Sequence, residues 1–400
     1  MRHSKSAFAT VSKLLGPAGF LIGVVATTQG PPPPVGGPIQ GLSPAEMQRF
    51  NAGRGEFLQN ELVSTGLGPV FNGTSCVQCH SAGAPGGSSP NLGVSVVTRI
   101  GAQVNGVYSD LENVGGALLQ RRSLREIIPS FPLPGEIVPP GASFVGRRQT
   151  TPVFGIGLME AIPASQILAR QDPNDSNRDG ISGRANMVLN RANNLTEVGR
   201  FGWKCQLSSV HVFSADAYLN EMGITNPLFP TEVRPQGRAL PPGADTVADP
   251  EDRIGTAVAR LTDFMRFLAP PPTSAGTTLG RSLFTSVGCA SCHTPTMTTG
   301  PNPVAALANK PVNMYSDLLV HDMGPGLADN LRQGQATGTE FRTAPLWGLR
   351  FRRFFLHDGR SQTVDSAIRF HGGEATATVG RYNALTLTNR NALIGFVQGL

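Results

Sequence analysis

Two Cys-x-x-Cys-His pentads constrain this chain of 400 residues more than any other feature of its sequence. The first occupies residues 76–80 and the second residues 289–293. Two residues between the cysteines let both thiols reach the same edge of a porphyrin, and the following imidazole then lies under the iron. The pattern predicts two covalently bound haem c groups, with these attachment residues and iron ligands: Cys76, Cys79, His80, Cys289, Cys292 and His293.

Two other uses of paired cysteines fit this pattern less well. A zinc ribbon usually places its two pairs about 15–20 residues apart, whereas these pairs lie in different halves of the chain. A thioredoxin-like redox pair needs no histidine directly after it. The fifth cysteine, Cys205, belongs to neither pentad and is predicted to be a small buried thiol.

The N-terminus has the organisation of a secretory signal. Basic residues precede an apolar stretch at 14–26, which is too short to span a bilayer comfortably and is followed by small residues. Residues 1–28 are predicted to be a cleaved signal peptide and residues 29–42 an extended linker, with an uncleaved anchor as the alternative. We therefore expect a periplasmic protein without a stable membrane span after cleavage.

The composition limits the fold and the partners. The chain has 48 glycines and 33 prolines, which predict long ordered loops rather than a compact helical bundle. Its 33 lysines and arginines are scattered and form no basic run. The net charge of +6 therefore indicates a weakly basic surface, and no nucleic-acid partner is expected.

The sequence around the two pentads is repeated. Residues 53–57 (Gly-Arg-Gly-Glu-Phe) precede the first pentad, and residues 280–284 (Gly-Arg-Ser-Leu-Phe) precede the second. Farther along, residues 151–156 resemble residues 344–349. The repeat indicates that the chain contains two copies of one haem-binding unit.

Each half ends in an apolar pattern typical of an amphipathic helix. The residues at i, i+3, i+4 and i+7 are Leu261, Phe264, Met265 and Leu268 in one half, and Leu393, Phe396, Val397 and Leu400 in the other. The predicted fold class is mainly α with long loops, arranged as two tandem cytochrome c-like domains. The domains are residues 43–269, enlarged by insertions, and residues 276–400, joined by a proline-rich linker at 270–275.

One insertion contains a segment that resembles a calcium loop. Asp175, Asn177 and Asp179 place oxygen side chains at loop positions 1, 3 and 5, and Gly180 stands at position 6. Position 12 is Asn186 rather than the bidentate glutamate of an EF-hand. Calcium binding by Asp175, Asn177 and Asp179 is one prediction, and a plain Asx-rich turn is the alternative.

A histidine in the second half stands where a sixth iron ligand is needed. Thr363 is the predicted N-cap of a short helix, and its apolar face carries Val364, Ala367, Ile368 and His371. A histidine on an apolar face is more often a satisfied core residue than a ligand, but a haem in the same domain favours ligation. His371 is therefore predicted to be the sixth ligand of the second haem, which would then be low-spin.

The first half has no matching histidine. When the repeat is aligned on Pro152 and Pro345, Arg178 falls opposite His371, and a guanidinium does not ligate iron. The first haem is therefore predicted to have an open face that a small oxidant can reach. Met159 or His211 as its sixth ligand is the alternative.

Glu160 is the predicted catalytic acid–base residue above the first haem. It lies in the apolar run Gly157-Leu158-Met159-Glu160-Ala161-Ile162. A carboxylate in such a run is costly to bury and often transfers protons. The alternative is that Glu160 accepts hydrogen bonds from loop amides.

Several segments resemble the family of di-haem oxidoreductases described as putative peroxidases, formerly called thiol oxidoreductases. The matching segments are residues 68–76, 157–163, 180–186, 200–204, 321–327 and 371–375. The resemblance covers roughly residues 40–400. It implies an electron bridge between the haems at Trp203, for which an ordinary core aromatic is the alternative, and a calcium ion near the inter-haem region.

More distantly, the chain resembles bacterial di-haem cytochrome c peroxidases, the related di-haem enzyme that matures tryptophan tryptophylquinone, and di-haem rubber oxygenases. In the peroxidases a methionine stands at the position of His371. Histidine in its place is expected to lower the potential of the second haem.

Three functions remain open from the sequence. The first is a peroxidase-like enzyme, in which the second haem receives electrons from a small redox protein or cytochrome and the first reacts with peroxide. The second is an electron carrier in which both irons are six-coordinate, and the third is a haem dioxygenase acting on a hydrophobic or small organic substrate. Fold alone does not choose among them, because sites and not folds set the chemistry.

Overall fold

Helices account for most of the regular structure in the computed structural model, which describes residues 32–274 and 276–400. The α-helices of these residues are α1 (Pro44–Leu58), α2 (Cys76–Cys79), α3 (Ile156–Glu160), α4 (Ala164–Leu168), α5 (Val210–Met222), α6 (Thr256–Phe267), α7 (Thr278–Val287), α8 (Val364–Phe370), α9 (Thr376–Asn383) and α10 (Leu387–Gly399). The predicted signal peptide, residues 1–28, lies outside the described residues. Among the described helices, none combines the length and apolar character that a membrane crossing requires.

Short antiparallel strands make the fold less purely helical than the sequence predicts. The strands are β1 (Val70–Phe71), β2 (Val96–Val104), β3 (Val107–Ser109), β4 (Leu118–Leu119), β5 (Arg122–Ser123), β6 (Phe144–Gln149), β7 (Met187–Asn190), β8 (Leu195–Val198), β9 (Met297–Thr298), β10 (Pro311–Val312), β11 (Val320–Asp322) and β12 (Glu340–Arg342). Helices, with the short 3₁₀ turns counted, make up 32% of the described residues, and strands, with isolated bridges counted, make up 15%. The prediction of a mainly α fold therefore holds only in part.

The largest sheet is built around β2. This strand pairs with β3, β4 and β6, and its ladder with β6 runs from Val96 opposite Gln149 to Gly101 opposite Phe144. The other ladders in the described part of the chain have two strands each: β1–β5, β7–β8, β9–β10 and β11–β12. The insertions of the predicted first domain thus form sheet as well as loop.

Two helix pairs repeat along the chain, α1 with α6 and α7 with α10. Each pair crosses at a glycine. A Cβ on Gly53 would lie 2.1 Å from the carbonyl oxygen of Arg260, and a Cβ on Gly280 would lie 2.3 Å from that of Ala392. Because only glycine lets the backbones approach this closely, the crossing explains why Gly-Arg-x-x-Phe precedes each pentad. The two predicted closing helices are confirmed as α6 and α10.

Two main apolar cores stabilise the fold. The smaller core packs α7, α8 and α10 together and includes Phe284, Val364 and Phe396. The larger core surrounds α1, α5 and α6, but it also contains Met314 and Leu319 from the predicted second domain. Residues 33–400 accordingly pack as one unit. The boundary at 270–275 stays a prediction.

Candidate functional site

Each pentad folds into one tight turn. The first turn is α2, and the second follows α7. The amide of His80 donates to the carbonyl of Cys76 at 3.0 Å, and the amide of His293 donates to that of Cys289 at 2.9 Å. Both cysteine pairs are free and partly exposed. Burial raises the pKa of Cys79 to about 12, opposite to the lowered pKa of a redox-active dithiol. The raised pKa of Cys79 therefore disfavours thiol–disulfide exchange at the first pentad.

The two pentad histidines are held as neutral ligands. Burial lowers the pKa of both His80 and His293 to about 4, so each ring keeps a lone pair for iron at neutral pH. The Phe of each Gly-Arg-x-x-Phe segment contacts the following histidine edge-on, Phe57 with His80 at 5.9 Å and Phe284 with His293 at 6.4 Å between ring centroids. Nδ1 of His293 donates to the carbonyl of Tyr315 at 2.9 Å, which leaves Nε2 to bind a metal.

The first pentad opens into a cavity, the N-terminal cavity, whose empty space including its mouth is about 1280 Å³. Its lining is partly polar and comes from α1, α2, the β2–β6 sheet, α5 and α6. The pentad residues and the principal side chains of its wall are His80, Cys76, Cys79, Arg99, Arg148, Trp203, Phe213, Asp216, Ala217, Glu221 and Met265.

The second pentad opens into the C-terminal cavity, with an empty space of about 1370 Å³ including its mouth. Most of its wall is apolar and comes from α7, α8 and α10 together with β12. Its histidines, tryptophan and charged side chains are His293, His321, His357, His371, Trp203, Arg342, Arg352 and Glu374.

The structure brings His371 into the same cavity as His293. His371 ends α8, which Thr363 caps as predicted by accepting a hydrogen bond from the amide of Ser366. Nδ1 of His371 donates to the carbonyl of Ala367 at 2.8 Å, so its Nε2 is left for iron. His293 and His371 thus present the same donor atom to one space, as two axial ligands of one haem must.

A neighbouring histidine, His321, is excluded as an iron ligand by its hydrogen bonds. Its Nε2 bonds to Asp317 at 2.9 Å and its Nδ1 to Glu374 at 2.7 Å, so both ring nitrogens are taken by carboxylates. Although burial opposes the charged form, the hydrogen bonds with Asp317, Cys292 and Glu374 raise the pKa of His321 well above its usual value. These contacts favour the protonated form of His321, which has no lone pair to offer iron.

Buried guanidinium groups test whether the cavities fit a haem. Nε of Arg342 and Nε of Arg352 are buried in the C-terminal cavity without a hydrogen-bond partner among the described residues. In the N-terminal cavity, Nε and Nη1 of Arg148 also lack a hydrogen-bond partner among the described residues, although Nη2 pairs with the buried carboxylate of Asp329. Burial lowers the pKa of Arg352 to about 10, which reflects the cost of a buried cation. Haem carries two propionate carboxylates, the partners that such groups require, so both cavities fit the predicted cofactor.

The two cavities differ at the position eight residues after the N-cap of a lining helix, where His371 is the C-cap of α8 and Ala217 lies within α5. Ser209 caps α5 as Thr363 caps α8, each accepting from the amide three residues farther on. When the helices are aligned on these caps, His371 corresponds to Ala217, and each lines its own cavity. The predicted match of Arg178 with His371 is wrong, because the insertion shifts the register and Arg178 lies exposed in the 175–180 turn. The conclusion that the first half has no matching histidine stands.

Glu160 does not line the N-terminal cavity. Its carboxylate accepts from the amide of Val210 at 2.8 Å and pairs with the guanidinium of Arg266 at 2.5 Å. These contacts agree with the alternative given above, in which Glu160 accepts a hydrogen bond from a backbone amide and is not a catalytic residue. Met159 and His211 also lie outside this cavity: Met159 is buried in the larger core, and His211 contacts Thr262 at 3.4 Å.

Two carboxylates that the sequence does not single out do line the N-terminal cavity, Asp216 and Glu221 on α5. Burial, reinforced by the charge of Asp216, raises the pKa of Glu221 to about 7, and burial also raises the pKa of Asp216. Glu221 follows Ala217 by one helical turn, so both project on the same face of α5. Phe213, Ala217 and Glu221 are spaced four residues apart. Once the helix capped by Ser209 is recognised in the sequence, this spacing places all three on one helix face.

Trp203 is the side chain shared by both cavities. Its Nε1 donates to the carbonyl of Gln149 at 2.8 Å, which fixes the ring between the β2–β6 sheet and the second half. The ring of His357 lies 6.4 Å away, edge to face, and itself stacks on Phe341 at 4.3 Å. The position suits the predicted role as a bridge for electrons, which stays a prediction.

The side-chain oxygens of the calcium-like loop accept hydrogen bonds from backbone amides of the same loop. Asp175 accepts from Gly180 at 3.2 Å, Asn177 from Asp179 at 2.9 Å, and Asp179 from Ile181 at 2.9 Å. These bonds form the Asx-rich turn that was the alternative. Calcium at Asp175, Asn177 and Asp179 stays a prediction without support from this geometry.

Two haem-sized cavities, each entered by a Cys-x-x-Cys-His turn, define the class of di-haem redox proteins. The family model described as "Di-haem oxidoreductase, putative peroxidase" matches residues 141–400. Because this is more than half of the chain, the protein belongs to that family of di-haem, peroxidase-like oxidoreductases. The match includes the second pentad and His371 but begins after the first pentad.

Solved structures give weaker likenesses. A hydrazine synthase structure from Kuenenia stuttgartiensis is 13% identical with a TM-score of 0.41, covering 96% of this chain and 100% of that one. A variant of the diheme peroxidase BthA from Burkholderia thailandensis is 13% identical with a TM-score of 0.39, covering 88% and 85%. Both TM-scores are too low to support an inference about function. No curated protein matches the chain.

Haem counting tests the attachment sites. The purified protein is expected to give two covalent haems per chain in a pyridine haemochrome assay, because both pentads form the attachment turn. Replacing Cys289 and Cys292 by Ala should leave one haem. Cys205→Ala is the matched control and should leave two, since Cys205 is buried and its thiol donates to the carbonyl of Leu318 at 3.3 Å. One haem in the wild type, or haem extracted by acidified solvent, would contradict the assignment.

Proposed function

We propose that this chain is a periplasmic di-haem c-type peroxidase. In this proposal the haem of the C-terminal cavity receives electrons from a small redox protein or cytochrome, and the haem of the N-terminal cavity reduces peroxide. The difference between His371 and Ala217 carries the proposal. The imidazole of His371 would hold the iron of the second haem as a further ligand, whereas the methyl group of Ala217 would leave room at the first haem for a small oxidant.

The residues that would hold the two haems follow from the cavities. Thioethers from Cys76 and Cys79, with His80 as the axial ligand, fit the first haem, and Cys289, Cys292, His293 and His371 fit the second. The bound haems would supply the two electrons that one peroxide molecule needs. The remaining requirement is two protons, which turn the two peroxide oxygens into two molecules of water.

In this proposal the carboxylates of α5 transfer the protons. Reduction of peroxide is faster when a base takes the proton from the near oxygen and returns it to the far one. Glu221 suits this task because its pKa of about 7 lets it exist in both forms near neutral pH. Asp216 on the same helix would keep Glu221 from ionising too readily, because two nearby carboxylates disfavour a second negative charge.

The two other functions make different demands on the N-terminal cavity. An electron carrier needs a sixth ligand there. The predicted ligands Met159 and His211 lie outside the cavity and Ala217 has no ligand atom, so Met222 and Met265 are the lining residues with a sulfur that could ligate iron. A dioxygenase for a hydrophobic substrate needs an apolar wall, whereas this cavity contains Arg99, Asp216 and Glu221. The geometry therefore favours a small polar oxidant.

A single-turnover experiment tests the proposal. Fully reduced, haem-loaded protein is mixed with one equivalent of hydrogen peroxide, and both haems are followed by stopped-flow absorbance. One equivalent should oxidise both haems, the second through the first, and Trp203→Phe should slow oxidation of the second haem while binding of peroxide stays fast. An electron carrier would leave both haems reduced on this timescale. Trp203→Phe with wild-type kinetics would remove the bridge but not the peroxidase.

A further inference from the structure

Four carboxylates that neither haem uses converge in the long loop between α5 and α6. They are Glu232, Asp245, Asp249 and Glu251, and one oxygen of each lies within 4.8 Å of those of the others. Three of them come from the last turns of the loop and Glu232 comes from its first part. The loop therefore folds back on itself around a negatively charged centre.

Unpartnered oxygens distinguish this cluster from an ordinary acidic patch. Both carboxylate oxygens of Glu232 are fully buried, and no hydrogen-bond donor among the described residues contacts them. Oε1 of Glu251 is buried in the same way. A buried carboxylate without a counter-charge costs several kcal/mol. The arrangement is therefore stable only when a proton or a cation occupies the centre.

Thr225 holds two of the other carboxylates in place, and the amide of Val247 donates to Asp245 at 3.1 Å. The hydroxyl of Thr225 donates to Asp249 at 2.8 Å, and the amide of Thr225 donates to Glu251 at 2.7 Å. These bonds orient the two carboxylates from outside the cluster. Their other oxygens are thereby left available for a central ligand.

We propose that Glu232, Asp245, Asp249 and Glu251 bind one calcium ion. Calcium takes about six to eight oxygen ligands in flexible geometry, which carboxylates, backbone carbonyls and waters can supply together. Five carboxylate oxygens of the cluster accept no hydrogen bond from Thr225 or Val247: both of Glu232 and one each of Asp245, Asp249 and Glu251. Magnesium demands a stricter octahedron, keeps several waters and is usually held by one or two carboxylates, whereas this cluster offers four. Zinc prefers nitrogen and sulfur donors, and the cluster has neither.

The position of the site gives the ion a structural task. The loop follows α5, which carries Ala217 and Glu221, and precedes α6, which carries Leu261 and Met265. All four of these residues line the N-terminal cavity. An ion that joins the two ends of the loop would fix the spacing of the two helices around the first haem. The proposed site is separate from the loop at 175–180.

The test uses haem-loaded protein that has been stripped of metals and then titrated with calcium chloride in a calorimeter. The wild type should bind one calcium ion per chain, and its Tm should rise by several degrees with saturating calcium, as mass action requires. Glu232→Gln should abolish the binding and the rise in Tm. The same variant should raise the Tm of the calcium-free protein, because it removes one of the repelling charges.

The paired variant Asp175→Asn with Asp179→Asn is the control and should leave calcium binding unchanged. If Glu232→Gln prevents folding, Asp249→Asn provides the same comparison at the exposed member of the cluster. Wild-type protein that binds no calcium at millimolar concentration would show that protons satisfy the cluster, and would overturn the proposal. Loss of binding in the control variant with binding retained in Glu232→Gln would overturn it as well. Neither result depends on peroxide turnover, so the proposed function is tested separately.

Discussion

Haem-loaded protein carrying Glu221→Gln is expected to reduce peroxide about a hundredfold more slowly than the wild type, or more slowly still. This is the usual scale for losing one general acid–base group. Glutamine keeps the size of the side chain and its position on α5, but it cannot take up or release a proton at neutral pH. Steady-state turnover with a reduced artificial donor measures the loss, and the haem spectrum checks that the site is intact.

Glu160→Gln is the matched control for this prediction. Glu160 pairs with Arg266 and caps α5 at Val210, away from the N-terminal cavity. Its replacement should leave turnover close to the wild-type rate, although the protein loses an ion pair. A large loss in Glu160→Gln together with normal turnover in Glu221→Gln would reverse the two assignments.

The pH profile adds a second readout for Glu221. As a base it must be deprotonated to take the first proton, so wild-type turnover should rise as the pH rises through about 7. Glu221→Gln should lack this inflection. A profile that is the same in both proteins would show that another group moves the proton.

His371→Ala is expected to convert the second haem from low-spin to high-spin or water-ligated iron. The reason is that His371 lines the same cavity as His293, and its Nδ1 bond to Ala367 leaves Nε2 free to bind a metal. His371→Met should restore a six-coordinate, low-spin haem and raise its potential, because a thioether stabilises ferrous iron better than an imidazole does. Absorbance and redox titration of the haem-loaded variants measure both changes.

His357→Gln provides the control for the ligand assignment. His357 lines the same cavity, but its ring stacks on Phe341 and does not project from α8. This variant should keep the low-spin signal. A low-spin signal that survives His371→Ala and disappears in His357→Gln would show that the wrong histidine has been assigned.

Local sequence signals predict the parts of the site that are close together in the chain. The attachment turns, the closing helices α6 and α10, and the capped helix that carries His371 each depend on contacts within a few residues. Short-range hydrogen bonds and the 3.6-residue period determine such elements. For this reason Thr363 and His371 can be placed from their spacing alone.

The features that the sequence does not reveal depend on long-range contacts. The β2–β6 ladder joins residues far apart in sequence, and β2 has no simple alternating pattern that would indicate it. Alignment of the repeat by residue number pairs Arg178 with His371. The insertion before α5 shifts this alignment, so that Ala217 and not Arg178 corresponds to His371. Glu160 lies in an apolar run as expected, but Arg266 from α6 supplies a partner that the sequence alone does not show.

The electron paramagnetic resonance spectrum of the oxidised wild-type protein tests the central claim most directly, because it reports the ligation of both haems at once. One low-spin signal from the haem of His293 and His371, and one high-spin signal from the haem of His80, are predicted in equal amounts. Added peroxide or cyanide should change only the high-spin signal. Two low-spin signals that both resist peroxide and cyanide would contradict the account and leave an electron carrier.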